Sequence, residues 1–253
     1  MRPRAIAVVA VIAYAIFLVA LLPASFVTER ITAATGGRVS FGNAGGTLWN
    51  GSARMGFTVA GGWLNLDAVQ WSFNPSSLLV GKISFDLNAN GAPDLEARAT
   101  VSRGFGGWSV DRAGLVGSVA SIATLAPIAA RWRPEGRLAV QVSDWLWSGQ
   151  GMRGEASIDW MKAAVSLSDV KPIGSYRVRV VGDGSNVARL TATTSAGPLQ
   201  VSGSGAAGPA EIRFSGEARA ADPAAAKALE QLLDLMGPRR PDGARALELR
   251  IAF

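Results

Sequence analysis

Residues 82–101, which read KISFDLNANGAPDLEARATV, decide the fold class. Polar and apolar residues alternate on both sides of a turn made of asparagine, glycine, proline and aspartate. Successive side chains of a strand point to opposite faces, so a period of two predicts a hairpin with one buried and one solvated face. The apolar positions are Ile83, Phe85 and Leu87 before the turn, and Leu95, Ala97, Ala99 and Val101 after it.

The same alternation continues along the chain. It recurs at 138–142, 156–160, 176–180 and 247–253, with glycine, proline, asparagine or aspartate between the series. About a dozen short strands at hairpin spacing are therefore expected. Polar residues at alternate positions favour antiparallel over parallel strands, so we expect a mainly β protein built as a long antiparallel meander. The pattern leaves open whether the sheet closes on itself.

Two short helices are expected to interrupt the sheet. The stronger pattern begins at Asp222-Pro223, an N-cap residue followed by a proline suited to the first helical position, and ends at Gly237-Pro238. Its apolar residues share one helical face and are Leu229, Leu232, Leu233 and Met236. A weaker pattern covers 114–126, where Gly117 and Ser118 lower the helix propensity.

The N-terminus predicts a membrane anchor. The basic sequence Met1-Arg2-Pro3-Arg4 precedes an uncharged, mostly aliphatic run from Ala5 to Val27. As a helix, this run extends roughly 34 Å, enough to cross a hydrocarbon core about 30 Å thick. The arginines favour a cytoplasmic N-terminus. We expect a cytoplasmic tail (1–4), an uncleaved transmembrane helix (5–27) and a β-rich domain beyond it (28–253); a cleavable signal peptide is the alternative.

Weak internal similarity predicts two similar halves, 38–133 and 134–253, laid side by side in one sheet. Leu48-Trp49-Asn50-Gly51 is echoed by Leu146-Trp147-Ser148-Gly149, and Trp71 is echoed by Trp160. Chance matches among glycine-rich strands are the alternative interpretation.

The composition argues against an enzyme. The 253 residues include no cysteine and no histidine, which excludes disulfides, thiolate chemistry, Cys/His metal sites and nucleophiles activated by histidine. Glu155 and Asp159 share a strand face but would lie roughly 13 Å apart, too far for a glycosidase pair. The glycine-rich stretches lack the strand and helix that flank a phosphate loop. We therefore assign no catalytic, cofactor-binding or metal-binding residue.

The net charge of +6 raises the question of an acidic partner. The arginines are spread over alternating strand positions, such as Arg177 and Arg179, instead of forming one patch. A nucleic acid is not expected as a partner beyond a membrane. Attraction to anionic lipid head groups or to an acidic partner is the functional interpretation, and a generally arginine-rich soluble surface is the alternative.

A series of motifs runs in order along the chain. The most specific is GTLWNGSA at 46–53, and PSSLLVGK at 75–82 follows Trp71. PEGRL at 134–138, IGSY at 173–176 and the leucine-rich helix ending at Gly237 come later. Together these motifs resemble the type II secretion system protein N family, also called general secretion pathway protein N, over nearly the whole chain.

The resemblance implies a non-catalytic accessory protein of the inner membrane, with a periplasmic C-terminal domain. Its partners would be other inner-membrane proteins of the apparatus that exports folded proteins from the periplasm across the outer membrane. An anchored envelope protein resembling AsmA, with an apolar groove that handles lipid, is the alternative. The residues that carry the family motifs, in a structural or interaction role, are Gly46, Thr47, Leu48, Trp49, Gly51, Trp71, Pro75, Leu78, Gly81, Gly174, Tyr176 and Gly237.

Overall fold

A computed structural model describes residues 10, 11, 13, 14, 17–59, 62–91, 94–123 and 132–252. In this part of the chain, thirteen strands form one antiparallel sheet whose spatial order is the order of the sequence. The strands are β1 (Val39–Gly46), β2 (Asn50–Val59), β3 (Gly62–Asn74), β4 (Lys82–Gly91), β5 (Leu95–Gly104), β6 (Gly107–Ser118), β7 (Glu135–Ser148), β8 (Gly151–Ala164), β9 (Gly174–Asp183), β10 (Ala188–Ala196), β11 (Leu199–Ala207), β12 (Glu211–Ala220) and β13 (Arg245–Ala252).

The hairpin predicted from residues 82–101 is confirmed as β4 and β5, with Phe85 opposite Val101 and Leu87 opposite Ala99. Since cross-strand partners share a face, the registers of all the pairs place the apolar series on one side of the sheet. We call this side the apolar face. The opposite side, which carries Arg177 and Arg179, is the arginine face.

The helices are short. They are α1 (Ala24–Ala34), α2 (Val119–Ala123), α3 (Pro223–Ala228) and α4 (Glu230–Met236), and a 3₁₀ helix covers Pro75–Val80. The predicted C-terminal helix is confirmed as two pieces separated by Leu229, and Asp222 caps it by accepting a hydrogen bond from the Ala225 N–H at 2.8 Å.

The weaker helix prediction, over 114–126, is wrong for 114–118. These residues belong to β6, where Ala113 pairs with Ala99 of β5 and with Val142 of β7. Pairing on both sides satisfies the backbone more completely than a short helix containing Gly117 would. Only 119–123 are helical, and 124–131 lie outside the described residues.

Two apolar clusters pack on the apolar face. One joins the C-terminal helices to the sheet through Leu229, Leu232 and Leu233, which pack with Ile173 and Leu199. The other lies among β2 to β6, and its buried members are Leu66, Val69, Ala89 and Leu95. The C-terminal helices therefore cover the sheet near its last strands, and Ile122 of α2 packs against the cluster near its first strands.

The sheet is open. β1 pairs with β2 and β13 pairs with β12, but the two edge strands do not pair with each other. The accessible surface is 15830 Å², whereas a compact monomer of this mass exposes about 10,600 Å². The meander thus extends as a broad layer with much of its surface exposed to solvent.

The two edges differ. β1 is interrupted by an irregularity between Gly42 and Gly45, and α1 packs against it. Such features protect an edge from further strand pairing. Along β13, the segment at Pro238 and Arg239 covers only the first residues: the Ala246 N–H donates to the Pro238 carbonyl at 3.0 Å, and Arg239 forms a bridge with Arg245.

No helix among the described residues is long and apolar enough to cross a bilayer. The predicted anchor at 5–27 and the tail at 1–4 lie partly or wholly outside the described residues, which leave out 1–9, 12, 15 and 16. Positions 10, 11, 13, 14 and 17–20 are helical, and the chain then turns before α1.

The structure does not show the two predicted halves as a repeat. β6 and β7 pair from Trp108 with Trp147 to Ser118 with Arg137, across the proposed boundary at 133/134, as two halves laid side by side in one sheet would. Trp71 lies in β3, the second strand after the turn that holds the first tryptophan motif. Trp160 lies in β8, the first strand after the turn that holds the second motif. The two series therefore do not correspond strand for strand.

Candidate interaction surface

The GTLWNG motif forms the turn from β1 to β2. It docks the residues that precede α1, here called the N-terminal segment, onto the sheet through Val19, Leu22 and Pro23. The Leu48 N–H donates to the Leu22 carbonyl at 2.8 Å, and the Trp49 Nε1–H donates to the Val19 carbonyl at 2.8 Å. Pro23 and Thr47 form an isolated β-bridge. The carbonyls at a helix end lack partners within the helix, so this turn supplies donors where the N-terminal helical residues end.

Trp71 holds the same turn from the apolar face. Its Nε1–H points at the carbonyls of Thr47 and Leu48, at 3.2 and 3.0 Å. Its ring lies over Gly51, where an added Cβ would be 2.3 Å from Cζ2. Gly46, with φ of 83°, brings the chain back onto Asn50. The motif requires glycine at these two positions because one is in the left-handed region and the other lies under an indole.

The next motif, 75–82, forms an exposed turn between β3 and β4. Asn74 caps it by accepting from the Ser76 N–H at 3.2 Å, and Gly81 ends it with φ of 69°. Pro75 begins the 3₁₀ helix, and Leu78 lies on its exposed side. Alternate turns of a meander lie at the same end of the sheet, so this turn is next to the one that docks the N-terminal segment.

Three further residues at this end were not among the predicted site residues. Phe105, at the tip of the β5–β6 turn, is fully exposed, and its ring is close to Gly81. Trp108 and Trp147 are cross-strand partners in β6 and β7, and both are about half exposed. The sequence Gly104-Phe-Gly-Gly107 offered a signal, because a large apolar residue between turn glycines has no buried position available.

The other predicted residues lie at the opposite end of the sheet. Gly174 lies under the Tyr176 ring, where a Cβ would be 2.7 Å from the hydroxyl oxygen. Gly237 passes so close to β13 that a Cβ would be 1.9 Å from the Ala246 carbonyl oxygen. The structure therefore brings nine of the twelve motif residues to one end, and it gives these three a packing role beside the C-terminal cluster.

Burial raises the pKa of the Tyr176 phenol above its ordinary value. The hydroxyl donates to the carbonyls of Ile173 and Leu199, at 3.3 and 3.2 Å, and both contacts favour the neutral phenol. A raised pKa contributes stability below the ordinary tyrosine pKa of about 10, and that contribution is lost as the pH rises through the folded value.

We expect this shift to be visible in a Tyr14→Phe variant, since the chain has only two tyrosines. Phenolate absorbance of the folded variant should develop at higher pH than that of the same variant unfolded in urea, or only as circular dichroism reports unfolding. Coincident titration curves for the folded and unfolded chains would contradict the burial of this hydroxyl.

The arginine face is a lattice of cross-strand ion pairs. Arg177 contacts Asp159 at 2.6 Å, and Arg179 contacts Glu155 at 2.7 Å. Near β13, the guanidinium groups of Arg213 and Arg250 lower the pKa of the Glu211 carboxyl. The two carboxylates tested above as a catalytic pair are each occupied by an arginine. These contacts are solvent-exposed, so each adds little stability.

The outer edge of β13 offers backbone groups to a partner. Ala246 directs its N–H away from β12, toward Pro238. Because this direction alternates along a strand, the N–H groups of Glu248 and Arg250 also point away from β12. Unpaired groups of this kind are the usual site of strand addition.

Comparison with known proteins agrees with the motifs. Residues 37–248 match the family model described as type II secretion system (T2SS), protein N. No curated protein and no solved structure matches the chain. The matched range extends from just before β1 into β13 and contains every motif residue named above. The chain therefore belongs to the type II secretion system protein N family.

Proposed function

We propose that this chain is an accessory inner-membrane component of the type II secretion apparatus, which exports folded proteins from the periplasm across the outer membrane. The observation that carries the proposal is the family match along almost the entire sheet, at 37–248. In this proposal the chain works by binding other inner-membrane components of the apparatus, and it catalyses no reaction.

The proposal includes an anchor at 5–27, a cytoplasmic tail at 1–4 and a periplasmic domain at 28–253. The described part of the N-terminal segment supports it: Phe17, Leu18 and Val19 are consecutive helical residues, and each is more than half exposed. Successive residues of a helix are about 100° apart, so apolar side chains face several directions, as they do in lipid. Confinement to the membrane raises the effective concentration near similarly anchored partners.

The contact in this proposal is strand addition at β13. A partner strand would pair with the outward backbone groups of Glu248 and Arg250, beyond the segment that Pro238 covers. Its apolar side chains would meet Leu249 and Ile251, which are partly exposed on the apolar face. β1 is the less suitable edge because α1 packs against it.

A secretion assay with two substitutions at one position tests this function. A strain that lacks the chain should lose export of a type II substrate into the medium, and wild type and Arg250→Ala should restore it. Arg250→Ala and Arg250→Pro both remove the Arg250–Glu211 ion pair. Only Arg250→Pro also removes the outward N–H, and an edge strand tolerates proline. We expect Arg250→Pro to reduce export about tenfold at equal protein level, the equivalent of about 1.4 kcal/mol of binding.

Undiminished export from the deletion strain would contradict the proposed function. Equal export with Arg250→Pro and Arg250→Ala would contradict only the docking site at β13.

A further inference from the structure

Four turns lie together at the end of the sheet that receives the N-terminal segment. They join β1 to β2, β3 to β4, β5 to β6 and β7 to β8. Turns at one end of a meander are two strand widths apart, about 10 Å. The four turns therefore span about 30 Å of rim, beginning at the hydrogen bonds from Trp49 and Leu48 to the N-terminal segment.

Two of these turns, β3–β4 and β5–β6, carry exposed apolar side chains at their tips, and exposed tryptophans lie near the same end of β6 and β7. Leu79 is 89% exposed and Val80 is 72% exposed, and Phe105 is fully exposed. We call the set the tip rim; it consists of Leu78, Leu79, Val80, Phe105, Trp108 and Trp147. Neighbouring apolar side chains on several adjacent turns form a patch, and a patch of this kind on a protein surface marks an interaction site.

The charge of the tip rim is positive. The stretches 73–85, 101–110 and 145–153 contain no aspartate or glutamate. Lys82 and Arg103 are exposed beside the apolar tips, and the Arg103 guanidinium lies 5.5 Å from the centre of the Trp108 ring. Tryptophan with neighbouring basic residues is the composition found where proteins meet lipid head groups.

The most exposed apolar residues at this end lie on the turns nearest the N-terminal segment. The β9–β10 turn carries Asp183 and Ser185 and one exposed apolar residue, Val187 at 46%, and the β11–β12 turn ends at Glu211. If apolar residues occurred on these turns by chance, we would expect them to be equally frequent and equally exposed on all the turns at this end. The most exposed apolar tips instead lie within two turns of the point where the N-terminal segment joins.

We propose that the tip rim inserts into the periplasmic leaflet of the inner membrane, with the apolar tips below the head groups and with Lys82 and Arg103 at anionic lipid phosphates. This inference rests on the anchor in the proposed function, since the anchor brings that end of the sheet to the bilayer. Insertion at several turns fixes the orientation of the sheet and holds the β13 edge on the side away from the anchor.

Single-cysteine labelling tests the insertion, because the chain contains no cysteine of its own. The full chain is reconstituted in vesicles of phosphatidylethanolamine and phosphatidylglycerol, with an environment-sensitive fluorophore on one of four substitutions. Leu79→Cys and Phe105→Cys report the tip rim, and Val11→Cys reports the anchor. Leu235→Cys, 63% exposed and in the β12–β13 connection at the opposite end, is the control.

We expect quenching by aqueous iodide to be about fivefold weaker at positions 79 and 105 than at position 235, and nitroxide-labelled lipid to quench only the first two and the anchor label. Iodide access at 79 and 105 with a shielded label at 11 would overturn the insertion and leave the anchor standing. An exposed label at 11 would overturn the anchor, and the insertion with it. Shielding at 79 and 105 without quenching by nitroxide lipid would mean that a second copy of the chain covers the rim, which also overturns the proposal.

Discussion

Leu229→Ala is expected to lower the free energy of unfolding by about 3 kcal/mol, within the range measured for buried leucines. Leu229 lies between α3 and α4 and is fully buried, with 0% of its side chain exposed. It packs in the cluster that contains Ile173 and Leu199. Its loss removes the transfer free energy of the deleted methyl groups and leaves a cavity that both short helices border, so neither helix alone can close it.

The measurement is a urea titration of the full chain in detergent, followed by far-ultraviolet circular dichroism. Leu235→Ala is the matched control, because Leu235 belongs to α4 but is 63% exposed. It should change the free energy of unfolding by less than about 0.5 kcal/mol. If the two variants unfolded at the same urea concentration, the helices would not be held to the sheet through Leu229.

Gly51→Ala is expected to destabilise the chain by about 2 kcal/mol and to release the N-terminal segment from the sheet. The new methyl group would be 2.3 Å from Cζ2 of Trp71 and 2.8 Å from the Gly45 carbonyl oxygen. The indole must therefore swing away, and it then loses its hydrogen bond to the Leu48 carbonyl. The turn that donates to Val19 and Leu22 loses its support from the apolar face.

Urea titration gives the stability of this variant, and a crosslink between cysteines placed at Leu22 and Leu48, which meet through their backbone atoms, reports whether the segment stays docked. Gly45→Ala is the control, since its Cβ would have no atom within 4 Å and its backbone is not in the left-handed region. Gly45→Ala should crosslink as the parent does, whereas Gly51→Ala should crosslink several-fold less. Equal crosslinking in the two variants would exclude the proposed link between Trp71 and the N-terminal segment.

The strands were predictable because an alternating pattern can be recognised by comparing residues only two positions apart in the sequence. The series at 83–87, 95–101 and 176–180 all lie in strands. The hairpin order gives which strands pair, whereas irregularities such as those in β5–β6 and β7–β8 set the individual partners. The prediction was wrong at 114–118, where Leu115 and Ile122 were taken as one helical face. Leu115 pairs instead with Ala97 and Val140, two partners that are remote in sequence.

The candidate surface was predictable only in part. GTLWNG and the 75–82 turn were recognised as motifs, and their spacing said nothing about what they touch. Trp49 reaches the Val19 carbonyl thirty residues earlier, and Gly81 meets Phe105 from a different hairpin. Contacts of this kind depend on which turns share an end of the sheet, and that depends on the number of strands between them.

The sequence by itself determined the strand period, which face of the sheet is apolar and which is charged, the capped C-terminal helix and the family. Each of these depends on residues that are close along the chain or on a matching order of motifs. Only the tertiary structure decided that the sheet stays open, that β13 keeps a free edge and that the exposed apolar turns gather beside the N-terminal segment. The physical reason is that the pairing energy of each hairpin depends only on its own two strands. The position of an edge strand or of the rim depends on the number and order of all thirteen strands.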